Sequence, residues 1–167
     1  MRRFLRVVPV LVVLLVMASA APVLAQGTQG VRYTGWGVRV GLSADPDQAY
    51  GGVHFDLGEF TRDVRFRPTV ELGFGDDVLL LQALAEVHYV FSKVQVWKPY
   101  VGGGLGLSYA DVDDDSDFDD DSDTEVSFAA IGGVETKLKS GNGFMLELKL
   151  GFGDNDPDVK FGVGWTF

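Results

Sequence analysis

Along residues 33–167 the apolar side chains keep to one parity in one segment after another. Successive side chains of a strand point to opposite faces, so a repeat of two means strands with one apolar and one polar face. The stretch RFRPTVELGF shows it most plainly: Phe66, Pro68, Val70, Leu72 and Phe74 share one face, while Arg65, Arg67, Thr69 and Glu71 share the other. The split recurs in segments 33–42, 52–57, 79–91, 97–109, 126–138, 144–152 and 159–167, which with 65–74 makes eight strands. No apolar run long enough for a helix and no helical capping box interrupts this region. The expectation is an all-β chain folded as an eight-stranded antiparallel up-and-down barrel.

Such a barrel can be soluble, with its apolar face inside, or transmembrane, with that face outside. Gly35, Gly37, Gly41, Gly102, Gly104, Gly106, Gly162 and Gly164 all fall on the polar face. Absent side chains are useful there only if that face is the crowded interior of a small barrel; on a solvated exterior they would weaken the strands without gain. The polar face also carries both signs of charge. Arg39, Arg65, Arg67, Lys137 and Lys149 share it with Asp56, Glu71, Glu86, Glu135 and Glu147, and with His54 and His88. Buried charges are tolerated when paired, which a closed lumen of mixed sign allows. These twelve residues are the candidate lumen network of a transmembrane β-barrel whose interior is largely filled.

Aromatic and charged residues sort by the same topology. With strands running alternately up and down, Trp36, Phe66, Tyr89, Phe91, Trp97, Phe144, Trp165 and Phe167 fall at one rim, and Phe74, Tyr109, Phe128, Phe152 and Phe161 at the other. Two aromatic girdles around an aliphatic band match the two interfaces of a bilayer. The connections at the second rim, 43–48, 75–77, 110–124 and 153–158, are acidic and hold no Lys or Arg, whereas the opposite turns carry Arg62, Lys93 and Lys139.

The first 25 residues read as a secretory signal peptide. Arg2, Arg3 and Arg6 precede an apolar run from Val7 to Met17, and small residues lead to Ala25, where cleavage is expected. The run is shorter than the roughly 20 residues that a spanning helix needs. Residues 26–167 then form one domain, and loss of the three arginines takes the formal charge from -10 to -13. So acidic a chain is a poor partner for nucleic acid. Without cysteine it has no disulfide framework and no lipidated Cys.

The signal peptide, the eight alternating segments and the closing KFGVGWTF resemble the small outer-membrane β-barrel family of Gram-negative bacteria. That family includes outer-membrane protein X, the opacity-type proteins and the membrane domain of outer-membrane protein A. The resemblance implies a monomer in the bacterial outer membrane, surrounded by lipid and lipopolysaccharide. It also implies that Phe161, Val163, Trp165 and Phe167 form the signal read by the barrel-assembly machinery during biogenesis.

The resemblance leaves several functions open, of which a structural or surface role is the leading expectation and a narrow porin-like channel an alternative. Some eight-stranded outer-membrane proteins modify lipid A with a His, a Ser and a carboxylate. Here His54 lies two residues from Asp56 on the same face, and Ser108 and Ser127 are expected at the same end of the barrel. A hydrogen-bonded lumenal histidine explains His54 better, so no enzyme and no cofactor are expected. In the stretch ADVDDDSDFDDDSDT, Asp111, Asp113, Asp115, Asp117, Asp119 and Asp121 offer hard oxygen ligands for loosely bound Ca²⁺ or Mg²⁺, which could bridge to lipopolysaccharide. A defined calcium loop is not expected, because the central glycine and the closing Glu are missing. The bland reading is a solvated acidic loop.

Overall fold

The computed structural model describes residues 32–45, 47–75, 78–112, 122–153 and 156–167. Residues 1–25, expected to be a signal peptide, and Asp113, Asp115, Asp117, Asp119 and Asp121 lie outside them, as does the side chain of Asp111. The described residues form β1 (Gly35–Ala44), β2 (Gln48–Asp56), β3 (Glu59–Thr61), β4 (Val64–Gly75), β5 (Val78–Val90), β6 (Lys98–Val112), β7 (Ser122–Lys137), β8 (Gly143–Gly151) and β9 (Val159–Thr166). Neighbours in the sheet are antiparallel, and β1 also pairs with β9, from Gly37 opposite Thr166 to Ala44 opposite Val159. The sheet therefore closes on itself.

Nine strands make eight staves, because β2 and β3 are one stave broken at Leu57 and Gly58, both ranged against β4. The cause lies in β4. Phe66 accepts from Leu57 N–H (3.0 Å) and donates to Gly58 O (3.1 Å), so residues of its parity turn their N–H toward β2. Pro68, two residues on, has no N–H to give, and the β2–β4 ladder stops at His54 opposite Thr69. Gly58 takes the break with a positive φ of 75°.

Burial is the reverse of that in a soluble protein. Val40, Leu42, Val101, Leu105, Val126, Phe128 and Phe161 are about half exposed on the outer face, while Arg39, Arg67, Glu71, Glu86 and Lys149 are fully buried inside. A continuous apolar exterior of this extent matches a bilayer rather than water. Apolar residues on the inward parity, Leu84, Val90, Tyr100, Ala129 and Ile131, pack as a cluster beside the charged groups. At one rim Trp36 meets Phe167 (5.3 Å between ring centroids), Tyr89 meets Phe91 (5.1 Å), and Phe144 lies between Trp97 (6.1 Å) and Trp165 (5.6 Å). All seven of these belong to the girdle expected at that rim.

Candidate functional site in the barrel interior

Two charged clusters fill the interior. The central one draws on five strands. Arg39 of β1 points Nη1 at Glu147 of β8 (2.7 Å), Glu71 of β4 (3.2 Å) and Glu86 of β5 (3.4 Å). Lys149 of β8 bonds the same oxygens of Glu71 and Glu86, each at 2.5 Å, and Lys160 of β9 takes the second oxygen of Glu71 at 3.0 Å. Three carboxylates thus face three cations, so the knot is neutral. That balance matters, because an unpaired charge at this depth would cost several kcal/mol. Tyr100 O–H donates to Glu147 (2.7 Å) and Thr69 O–H to Glu86 (3.0 Å), so neutral hydroxyls take up remaining carboxylate lone pairs.

A second cluster sits toward the rim at which β9 ends. Arg67 clamps Asp56 through Nε (2.6 Å) and Nη2 (3.4 Å) and reaches Glu135 at 3.3 Å, which Arg65 also holds at 2.9 Å. Two acids again face two bases. Toward the opposite rim, Lys160 donates to Gln82 (2.7 Å), and Gln82 donates to Asp156 and Ser127, both at 2.8 Å. Ser127 O–H also donates to Asp156 at 2.6 Å, drawing a loop residue into that end of the lumen.

Glycines on the wall make room for these side chains. A Cβ at Gly133 would stand 2.5 Å from Tyr100 Oη, and one at Gly102 would stand 2.7 Å from His88 Cδ2. Outward-facing Gly132 would meet nothing within 4 Å. At Gly133 and Gly102 an inward glycine is therefore a packing requirement, whereas a Cβ at inward Gly104 would make only ordinary contacts, the nearest at 3.4 Å.

Of the twelve expected network residues, Arg39, Asp56, Arg65, Arg67, Glu71, Glu86, Glu135, Glu147 and Lys149 are brought into the two clusters. His88 stacks on Tyr100 (4.9 Å between centroids, 20° between planes) and lies 3.3 Å from Glu86 Oε2. Lys137 departs from expectation: it stands exposed at the end of β7, where the strand has left the lumen and water is the better solvent for its ammonium. His54 also corrects the sequence reading. Its Nε2 lies 2.9 Å from Thr166 Oγ1, near the end of β9, whereas Ser127 bonds Asp156 in the loop that precedes β9. The His and the serines are at opposite ends because β2 runs down while β6 runs up, and Asp56 is taken by Arg67. Lys160, Gln82 and Tyr100 were on the polar parity but carried no recognised role. Asp156 lies in the acidic connection 153–158, and its side chain folds inward onto Gln82 and Ser127. Phe161 and Phe167 of the expected assembly signal are exposed, and Val163 and Trp165 are half-buried on the same outer face.

No protein-family model and no curated protein matches the chain. Solved structures do. The neisserial surface protein NspA matches over 80% of this chain and 94% of its own, at 16% identity and a TM-score of 0.62. The N-terminal β-barrel domain of Pseudomonas aeruginosa OprF matches over 83% and 98%, at 14% identity and a TM-score of 0.61. The fold is that of the small eight-stranded outer-membrane β-barrels. This outer-membrane barrel fold is also that of the outer membrane enzyme PagL, matched over 80% of this chain and 99% of PagL, at 12% identity and a TM-score of 0.51. A barrel of this type thus hosts both enzymatic and other roles, and function must be argued from the interior and the rims.

Proposed function

We propose that the protein is a closed, non-conducting barrel of the bacterial outer membrane with a structural or surface role. The observation that carries this reading is the neutral knot of Arg39, Lys149 and Lys160 with Glu71, Glu86 and Glu147, which reaches into the lumen from five strands. Eight strands enclose an interior that side chains can fill. Here the filling is ionic, and every member but Lys160 holds two or more others, so opening a path means separating several pairs in a low dielectric. The apolar exterior and aromatic rim support residence in a bilayer. The sequence places the acidic connections on the outer surface, with lipopolysaccharide and divalent cations as their natural neighbours. Phe161, Val163, Trp165 and Phe167 would serve recognition by the assembly machinery before insertion. The pairing of His54 with Thr166, and of Asp56 with Arg67, favours a structural histidine over a catalytic one.

Conductance of the purified barrel in a planar bilayer tests the reading. The expected trace is flat, whereas Lys149→Ala with Glu86→Ala, which opens the knot while Arg39 keeps Glu71 and Glu147 and Lys160 keeps Glu71, should give measurable steps. Reproducible open steps from the unaltered protein would overturn the closed-barrel reading.

A further inference from the structure

Beside the ion pairs, the interior holds two polar atoms that no hydrogen bond uses, Glu86 Oε2 and His88 Nε2. Glu86 and His88 are two residues apart on the inward face of β5, and Glu147 of β8 meets them across the lumen. One ligand atom from each lies within 4.8 Å of the others. His88 Nε2 and Glu86 Oε2 are 3.3 Å apart and neither has a hydrogen-bond partner, although both residues are fully buried. Buried polar atoms left unpaired are costly, so two facing each other point to something between them.

We propose that Glu86, His88 and Glu147 form a buried site for a borderline divalent cation, zinc foremost. The distances favour a metal over an imidazolium. Ligands about 2.0–2.1 Å from a tetrahedral zinc stand about 3.3 Å apart, which is the His88–Glu86 separation. A charge-assisted hydrogen bond would instead align the two atoms at about 2.8 Å. Lys149 and Thr69 take Glu86 Oε1 and leave Oε2 free, and the Tyr100 ring lies against His88, whose Nε2 is free. Glu147 is held through Oε1 by Arg39 and through Oε2 by Tyr100, so it would ligate through an oxygen that also accepts a hydrogen bond. Outer partners of this kind orient metal ligands. One imidazole with two carboxylates selects zinc and its first-row neighbours over Ca²⁺ or Mg²⁺, and three protein ligands leave a fourth position for water. Arg39 and Lys149 beside the carboxylates hold the affinity below that of an all-acidic cage. The proposal does not depend on whether the barrel conducts.

The test uses the full, folded, tag-free protein in detergent, dialysed against zinc, and in parallel against cobalt(II) as a spectroscopic probe. The expected result is one zinc per chain and an intense tetrahedral cobalt spectrum. His88→Ala should abolish that spectrum, and Tyr100→Phe should weaken zinc by roughly 10–100-fold. His88→Gln serves if the alanine variant does not fold. Failure to hold zinc in stoichiometric amount would overturn the proposal. So would a pale octahedral cobalt spectrum that survives His88→Ala, which would place the ion on the loop aspartates.

Discussion

Arg67→Met offers the sharpest test of how the interior is held together. Arg67 is fully buried and supplies both hydrogen bonds to Asp56, at 2.6 and 3.4 Å. Methionine keeps much of the stem and removes the charge, leaving Asp56 buried with its clamp gone. Removing one partner of a buried pair costs about 3–5 kcal/mol, and the larger part is the stranded charge rather than the lost attraction. Glu135 is spared, because Arg65 still holds it at 2.9 Å. Asp56 lies near a rim, so the lower end of the range, about 3 kcal/mol, is expected. With a urea dependence of about 1–3 kcal/mol per molar, the unfolding midpoint should fall by roughly 1–3 M. Reversible urea unfolding from lipid vesicles measures this, with Trp36, Trp97 and Trp165 as fluorescent reporters. The decisive variant is Arg67→Met with Asp56→Leu, which removes both charges and should recover to within about 1 kcal/mol of the parent. If the single variant loses less than about 1 kcal/mol, or the double variant is worse than the single, burial of a paired charge is the wrong account of this end of the lumen.

Three further outcomes follow from the same geometry. Gly133→Ala should lose about 1–3 kcal/mol through its clash with Tyr100, whereas Gly132→Ala, facing open space, should be neutral or gain about 0.4–1 kcal/mol in the same unfolding assay. Val40→Arg, on the outer face between Gly51 and Val163, should cost about 2–4 kcal/mol in a bilayer and almost nothing if that face met water. Ser116→Cys creates a single thiol in the acidic connection, and a membrane-impermeant maleimide should label it on intact cells; labelling only after lysis would refute the outward placement.

The fold was legible because alternation over eight segments admits few solutions, and the inward glycines decided which face was inside. Parity also found nine members of the two ion-pair clusters without any structure. It failed where position rather than parity matters. Lys137 has the parity of Glu135, but the strand emerges from the lumen between them, and a repeat of two carries no information about depth. His54 and Ser127 share an inward parity, which alone suggests one end, but the up-and-down order of the strands sets them at opposite ends. Asp156 lies in a connection with no periodicity, so its inward fold left no trace in the pattern. The break at Leu57 and Gly58 was signalled by Pro68, on the neighbouring stave, where a missing N–H is felt two strands away in sequence.

Alternation has a second blind spot, and the charged knot covers it. Sliding a strand by two residues returns every apolar side chain to the outer face, so the lipid-facing energy cannot fix the register. The interior can. Glu147 and Lys149 are two apart on β8, and a slip of two would set a carboxylate where Lys149 now meets Glu71 and Glu86. Three carboxylates would then converge without that ammonium, at a cost of several kcal/mol in a low dielectric. Glu71, Glu86 and Glu147 are thus placed so that each plausible slip of β8 converts an attraction into a repulsion. The polar interior of this barrel selects one alignment among those the bilayer would accept equally.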